Sequence, residues 1–297
     1  MSNKPRKMTL EKKHNLTGWA FLAPATFLLV VFSFWPMIKA LVLSFQTGKG
    51  RNMQMAGFTN YIRMFQDDVF IQSIKNTFFY FIIQVPIMLL VALVLACILN
   101  KKDLRFKGFF RTMIFLPCTT SLVAYSIIFR SLFANDGLVN YVLVNLGILD
   151  KPYNFLTQPF AAKMVIILAL LWRWTGYNMV FFLSGLQNIE YSVYEAAKID
   201  GASAIQTFFK ITVPLLKPTI LLTAIMSTNG TLQLFDESIN LTDGGPANAS
   251  ISMSHYIYNL CFKYVPNFGY AAAMSFFILL LVAVLAFIQM RVGDKRD

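Results

Sequence analysis

Tyr191–Leu215, YSVYEAAKIDGASAIQTFFKITVPL, is a polar, amphipathic stretch set between two strongly apolar ones. Ser192 and Glu195 have the spacing of a capping box, in which a hydroxyl and a carboxylate each engage a backbone N–H at the start of a helix. Gly201 suits the left-handed residue that ends such a helix. Ser203 and Gln206 repeat the capping-box spacing, and Ile205, Phe208 and Phe209 then fall at i, i+3 and i+4 on one apolar face. Pro214 and Pro218 mark entry into the next apolar run, because proline is tolerated in the first turn of a helix. The stretch therefore predicts two short, stiff helices joined at Asp200-Gly201. One reading makes it an ordinary interfacial helix lying on lipid; the other makes it a docking element gripped from outside the membrane.

The composition around it selects lipid as the main solvent. Of 297 residues, 57% are hydrophobic and 13% charged, whereas a soluble domain carries about a quarter charged residues. A bilayer core needs about 20 apolar residues per helix, and six windows qualify: 18–45, 77–99, 109–133, 161–186, 218–236 and 269–290. The fold class expected is thus all-α, with six transmembrane helices. Basic residues set the orientation. Sixteen lie in the N-terminal tail, the second-to-third and fourth-to-fifth connections and the C-terminal tail, against seven in the remaining connections. Both termini and the Tyr191–Leu215 stretch are expected on the cytoplasmic side. The net charge of +12 is then a topology signal and not a nucleic-acid footprint. The division expected is a basic cytoplasmic tail at 1–17, a six-span domain at 18–290 with a connecting loop at 187–217, and a cytoplasmic tail at 291–297.

The chain has no G-x-x-x-x-G-K-[ST] phosphate loop. His14 and His255 stand apart without a metal-ligand pattern, and no catalytic triad or paired carboxylates emerge. No metal, no bound cofactor and no enzymatic activity are expected of this chain, so energy for uphill movement has to come from a partner or an ion gradient.

Polar residues inside spans are functional candidates. The fifth window holds Ser227, Thr228, Asn229, Gly230, Thr231 and Gln233; the fourth holds Trp174, Tyr177 and Asn178. At about 1.5 Å per residue both groups sit about 14 Å from the cytoplasmic ends of their helices, at similar depth. Aromatic faces beside amides and hydroxyls are the chemistry that binds sugars. Close helix packing by Ser227, Gly230 and Thr231 is the plainer reading. Ser227, Gly230, Thr231 and Leu234 share one helical face and Asn229 and Gln233 another, and which of the two lines a cavity is open. Arg173, the lone charge deep in the fourth window, can line a vestibule, pair with Asp236 or snorkel outward. Pro36, Pro86 and Pro117 are expected to kink their spans.

Glu195-Ala196-Ala197, Gly201 four residues after Ala197, and Ile211-x-Val213-Pro214 match the EAA-x3-G-x9-I-x-LP signature, with Val213 in place of leucine. In this the chain resembles the inner-membrane permease subunits of binding-protein-dependent ABC importers. EAAKIDGA, FLAPA at Phe21–Ala25, LTDGGPANAS at Leu241–Ser250 and FGYAAAM at Phe268–Met274 are similar to the carbohydrate branch, with its maltose, glycerol-phosphate and multiple-sugar importers.

The resemblance implies a MetI-like permease fold with a cytoplasmic coupling helix and residence in a bacterial cell membrane. It implies four kinds of partner: a second, similar permease, two copies of an ATPase that uses ATP and magnesium, an extracytoplasmic solute-binding protein and a sugar, here leaning to an oligosaccharide. Glu195, Ala196, Ala197, Asp200, Gly201, Ile205, Phe208 and Phe209 would then form the surface that couples to the ATPase. Trp174, Tyr177, Asn178, Ser227, Asn229, Thr231 and Gln233 would meet substrate. Rival readings are the same architecture carrying glycerol phosphate or a polyamine, an ion-coupled secondary transporter, and a membrane scaffold without transport. Inverted repeats and intramembrane carboxylates, which a secondary transporter calls for, do not emerge from the sequence.

Overall fold

The computed structural model describes residues 9–49, 52–101 and 103–293. Most of the expected basic N-terminal tail, Arg51, Lys102 and the residues after 293 lie outside the described residues.

The first span is longer than its apolar window. It is a helix over Leu10–Ser44, made of α1 (Leu10–Leu29), a π turn (Val30–Phe34) and α2 (Trp35–Ser44). Helix thus begins within the segment expected as tail, at the Leu10–Thr17 end. Pro36 sits in the first turn of α2, directly after the π turn that leaves backbone groups without their usual partners. No described residue of α1 is buried.

The all-α expectation needs one addition. Gln46–Lys49 (β1) and Asn52–Met55 (β2) pair antiparallel as a small hairpin beyond α2. Asn60, on α3 (Thr59–Met64), donates to the carbonyls of Ser44 and Gln46 and ties the hairpin down.

The second span is α4 (Asp68–Asn100), uninterrupted through Pro86. Asp67 caps it, accepting from the amides of Val69 and Phe70. The same carboxylate accepts from Tyr256 and Tyr270, at 2.7 Å each. Burial opposes ionisation of Asp67, but these hydrogen bonds outweigh it and hold the carboxyl below its ordinary range.

The third window is broken in two. α5 (Lys107–Thr119) and α6 (Leu122–Leu132) meet at 97° across Thr120-Ser121. Pro117, in the last turn of α5, supplies no backbone N–H for the Met113 carbonyl and weakens the ladder just before the break. α7 (Leu138–Asn145) follows. The fourth span is α8 (Pro159–Gln187). Next come α9 (Tyr191–Ile199), α10 (Ala204–Thr207), a π turn at Phe208–Thr212 and the single turn α11 (Val213–Leu215).

The fifth helix, α12, covers Lys217–Leu232 and meets the preceding segment at 73°. It ends four residues earlier than the apolar window suggests. α13 (Asp236–Thr242), α14 (Met253–Tyr258), a π turn at Asn259–Lys263 and α15 (Phe268–Gly293) complete the chain. Among the described residues, four helices are long and apolar enough to cross a membrane, and six spans result when each bent pair is one.

α4 and α8 form the spine. Ala92 and Ala96 let Met179, Phe182, Leu183 and Leu186 approach closely, with Leu216 closing the cluster. Between membrane helices such close contact replaces the hydrophobic drive that water supplies. Gly176 shows how tight the α5–α8 contact is: a Cβ there would fall 1.9 Å from the carbonyl oxygen of Ile114.

The break after α12 leaves non-helical backbone within the fold, which membrane proteins tolerate only where protein or water satisfies it. Here protein does so. Ser252 donates to the Leu234 carbonyl, Asn76 to those of Asn248 and Ile251, and Tyr80 to that of Ser250. Part of the connection between α12 and α15 is therefore packed into the core, with Ser238, Ser250, Ser252 and His255 at 0% exposure.

Candidate functional site

The Tyr191–Leu215 stretch folds much as its spacing predicts, with one correction. The helix α9 starts from Glu190 without a side-chain cap, so the Ser192–Glu195 box does not form. The Ser192 hydroxyl donates instead to Glu190 at 3.3 Å. Starting two residues early makes Ser192 a helical residue, too far along to cap. The second box forms fully: Gln206 N–H donates to the Ser203 hydroxyl, and Ser203 N–H to the Gln206 side chain.

Gly201 has φ +75, in the left-handed region. Its N–H donates to Lys198 and that of Ala202 to Ala197, the paired bonds of a Schellman ending. Ala197 is buried, while Glu195, Ala196, Asp200 and Gly201 are exposed.

The apolar face divides where the π turn begins. Phe208 turns inward against the cluster around Leu216, while Ile205 and Phe209 stay 72% and 63% exposed. Ile199, which the periodicity did not single out, is 86% exposed beside them. An apolar knuckle of Ile199, Ile205 and Phe209 therefore surrounds the turn at Gly201, and its root is fixed in the core by Phe208 and Leu216.

Midway along α8 and toward the C-terminal end of α12 lies a cavity of about 350 Å³. Trp174, Tyr177 and Asn178 from α8 line it, with Ser227 and Thr231 from α12 and Gln233 just beyond. The face carrying Ser227, Gly230, Thr231 and Leu234 is thus the one turned to this cavity. Asn178 joins the two helices: its amide donates to the Trp174 carbonyl at 3.0 Å, and Ser227 donates to its oxygen at 3.3 Å.

Asn229 points away. It lines a second groove of about 580 Å³ with Ser254, Ser275 and aliphatic residues of α15, and it accepts a short hydrogen bond from Gln233, which borders both spaces.

Two contributors from α4 escaped the sequence reading. Gln84, 2% exposed, accepts from the Thr231 hydroxyl at 2.8 Å, and Met88 receives N–H groups from Gln84 and Asn178. The signal was present, because Ser73, Asn76, Thr77, Tyr80 and Gln84 recur along one side of an otherwise apolar helix.

Arg173 also borders the cavity. It makes no ion pair with Asp236 among the described residues and does not snorkel. Its Nη1 donates to the Thr120 carbonyl at 3.0 Å, at the break in the third span. Asp236 and Glu237 line the same cavity at its far end.

Three comparisons bear on this arrangement. The family described as the binding-protein-dependent transport system inner membrane component matches residues 70–296. The lactose transport system permease protein LacF of Rhizobium radiobacter is 51% identical over 98% of both chains. The multiple sugar-binding transport system permease protein MsmF of Streptococcus mutans is 33% identical, over 97% of this chain and 99% of that protein. The fold is similar to a chain in the crystal structure of a bacterial alginate ABC transporter in complex with an alginate pentasaccharide-bound periplasmic protein. The TM-score there is 0.84 at 25% identity, over 98% of each chain.

Proposed function

This chain belongs to the inner membrane components of binding-protein-dependent transport systems, and on that premise we propose that it is the permease subunit of an ATP-driven sugar importer. The observation that carries the reading is the position of one connection. The segment 187–217 joins α8 to α12, the two helices that hold the polar cavity, and exposes an apolar knuckle at its tip.

A push on that knuckle reaches the cavity through Phe208 and Leu216, which are seated among Leu183, Leu186 and Ala96. In this reading a separate ATPase, using ATP and magnesium, grips Ile199, Ile205 and Phe209. Glu195 and Asp200 meet basic groups on the same partner, Ala196 and Ala197 allow close approach, and Gly201 sets the turn. A second, similar permease closes the path from the opposite side. A solute-binding protein docks at the distal end, and both termini lie with the knuckle on the cytoplasmic face of a bacterial cell membrane.

The cavity suits a neutral sugar. Trp174 and Tyr177 offer ring faces for C–H groups, and Gln84, Asn178, Ser227, Thr231 and Gln233 offer hydrogen bonds. A phosphate ester calls for cations, and the lining holds Arg173 against Asp236 and Glu237. The relative at 51% identity is named for lactose, which makes lactose and short oligosaccharides the first sugars to test. Deleting the gene and measuring uptake of labelled lactose and raffinose tests the proposal. Loss of uptake restored by the intact gene is expected; unchanged uptake of every sugar tried would overturn it.

A further inference from the structure

Arg173 is 6% exposed and has no carboxylate within ion-pair distance among the described residues. A buried charge left in that state is destabilising unless its surroundings compensate. Its compensation comes from an unusual set of neighbours. Nη1 donates to the Thr120 carbonyl, which the break in the third span leaves without a helical partner. The guanidinium lies 4.7 Å from the Tyr125 ring centre and 5.4 Å from that of Trp174, within the range of a cation–π contact. Nε is buried without an acceptor.

Tyr125, fully buried on α6, donates its hydroxyl to Glu237 at 2.5 Å. Glu237 is 4% exposed in the first turn of α13, where the chain walls the cavity beyond α12. Thr120, Arg173, Tyr125 and Glu237 thus tie together both halves of the third span, α8 and α13.

Two features make this more than scaffolding. α6 joins α5 through a two-residue, non-helical hinge at 97°, so it can pivot without unravelling either helix. Arg173 also has a second arrangement within reach. Its spare Nε and the carboxylates of Asp236 and Glu237 border one cavity, so the guanidinium can exchange the Thr120 carbonyl for a carboxylate. Coupling of this kind needs an element with two discrete arrangements.

We infer that Arg173, Tyr125 and Glu237 are positioning residues of a latch at the distal end of the cavity, and that parting of Tyr125 from Glu237 is a step in opening the cavity outward. The inference rests on the importer reading and concerns how the cavity of that importer opens.

The test uses the complete importer, purified through a tag on this chain and reconstituted in liposomes. Tyr125→Phe leaves the ring under Arg173 and removes only the hydroxyl. ATP hydrolysis without binding protein or sugar is expected to rise about tenfold or more, the order of effect of one hydrogen bond to a charged group, with the amount of assembled complex unchanged. Glu237→Gln, which still accepts a hydrogen bond, is expected to give a smaller rise of about twofold. Arg173→Lys is likewise expected to raise the rate, because an ammonium lacks the planar fork that serves the carbonyl and both rings together.

Unchanged hydrolysis in assembled Tyr125→Phe overturns the latch. If that variant does not assemble, Glu237→Gln decides on the same readout, and an unchanged rate overturns it equally. A wild-type complex that hydrolyses ATP but carries no sugar overturns the importer reading instead.

Discussion

The knuckle around Gly201 and the segment between α12 and α14 are built on opposite principles. The knuckle leaves Ile199, Ile205 and Phe209 in the open. The distal segment hides Ser238, Ser250, Ser252 and His255 completely. Apolar side chains exposed on a capped, well-formed turn are the surface that, in the proposed function, a partner grips. Polar side chains buried there are turned inward, and Ser238, Ser250 and Ser252 satisfy a backbone that leaves the helix within the fold. On that proposal one region is moved and the other holds its shape.

The largest test of this contrast is Gly201→Pro. Proline cannot take φ +75 and also removes the N–H that binds Lys198, a loss of about 3 kcal/mol where both faults meet. Uptake is expected to fall more than a hundredfold while the spans still insert and assemble. Normal transport would show that the turn transmits nothing. Glu195→Lys is a milder version, expected to separate ATP hydrolysis from uptake.

Next in size, Phe209→Asp is expected to release the ATPase from the complex, since a charge at the centre of an apolar contact costs about 2–4 kcal/mol. Co-purification of the ATPase subunit measures it. Phe208→Ala should instead destabilise the chain itself, because Phe208 faces inward; equal effects on assembly from the two phenylalanines would erase the distinction between exposed and anchored residues.

In the cavity, Asn178→Ala and Thr231→Ala are each expected to raise the KM for sugar about tenfold, the worth of one or two hydrogen bonds. Asn229→Ala, which faces the other groove, should leave KM near wild type. A reversal of that order would place the substrate on the opposite face of α12.

The smallest effect concerns acid. Burial lowers the His255 pKa to about 4, with Asp243 opposing and Lys263 reinforcing. An unfolded histidine titrates near about 6.5, so the unfolded chain binds the extra proton first. Stability is full above about 6.5 and is lost as pH falls toward about 4. His255→Gln is expected to flatten that slope, read as the detergent-solubilised melting temperature between about pH 7 and pH 4.5.

Much of the fold was legible because lipid is a demanding solvent. Long apolar windows, basic flanks and the EAA spacing at Glu195–Gly201 are local properties, and each maps onto a helix or a turn. The cavity was half legible. Trp174, Tyr177, Asn178, Ser227 and Thr231 stand out as polar or aromatic residues in apolar runs. Gln84 and Met88 became members only when α4 packed beside them. Asn229 looked like its neighbours, and a rotation of one residue on α12 sends it to another space.

The sequence by itself determined that this chain lives in a membrane, carries a stiff capped turn and keeps a polar layer in two of its helices. Those features follow from local composition and from periods of 3 to 4 residues. Only the tertiary structure decided that the third span breaks at Thr120, that Arg173 reaches that break, and that Ser238, Ser250, Ser252 and His255 are core. Each of those depends on which buried donor meets which buried acceptor, and residues more than 50 positions apart settle that only when the helices pack.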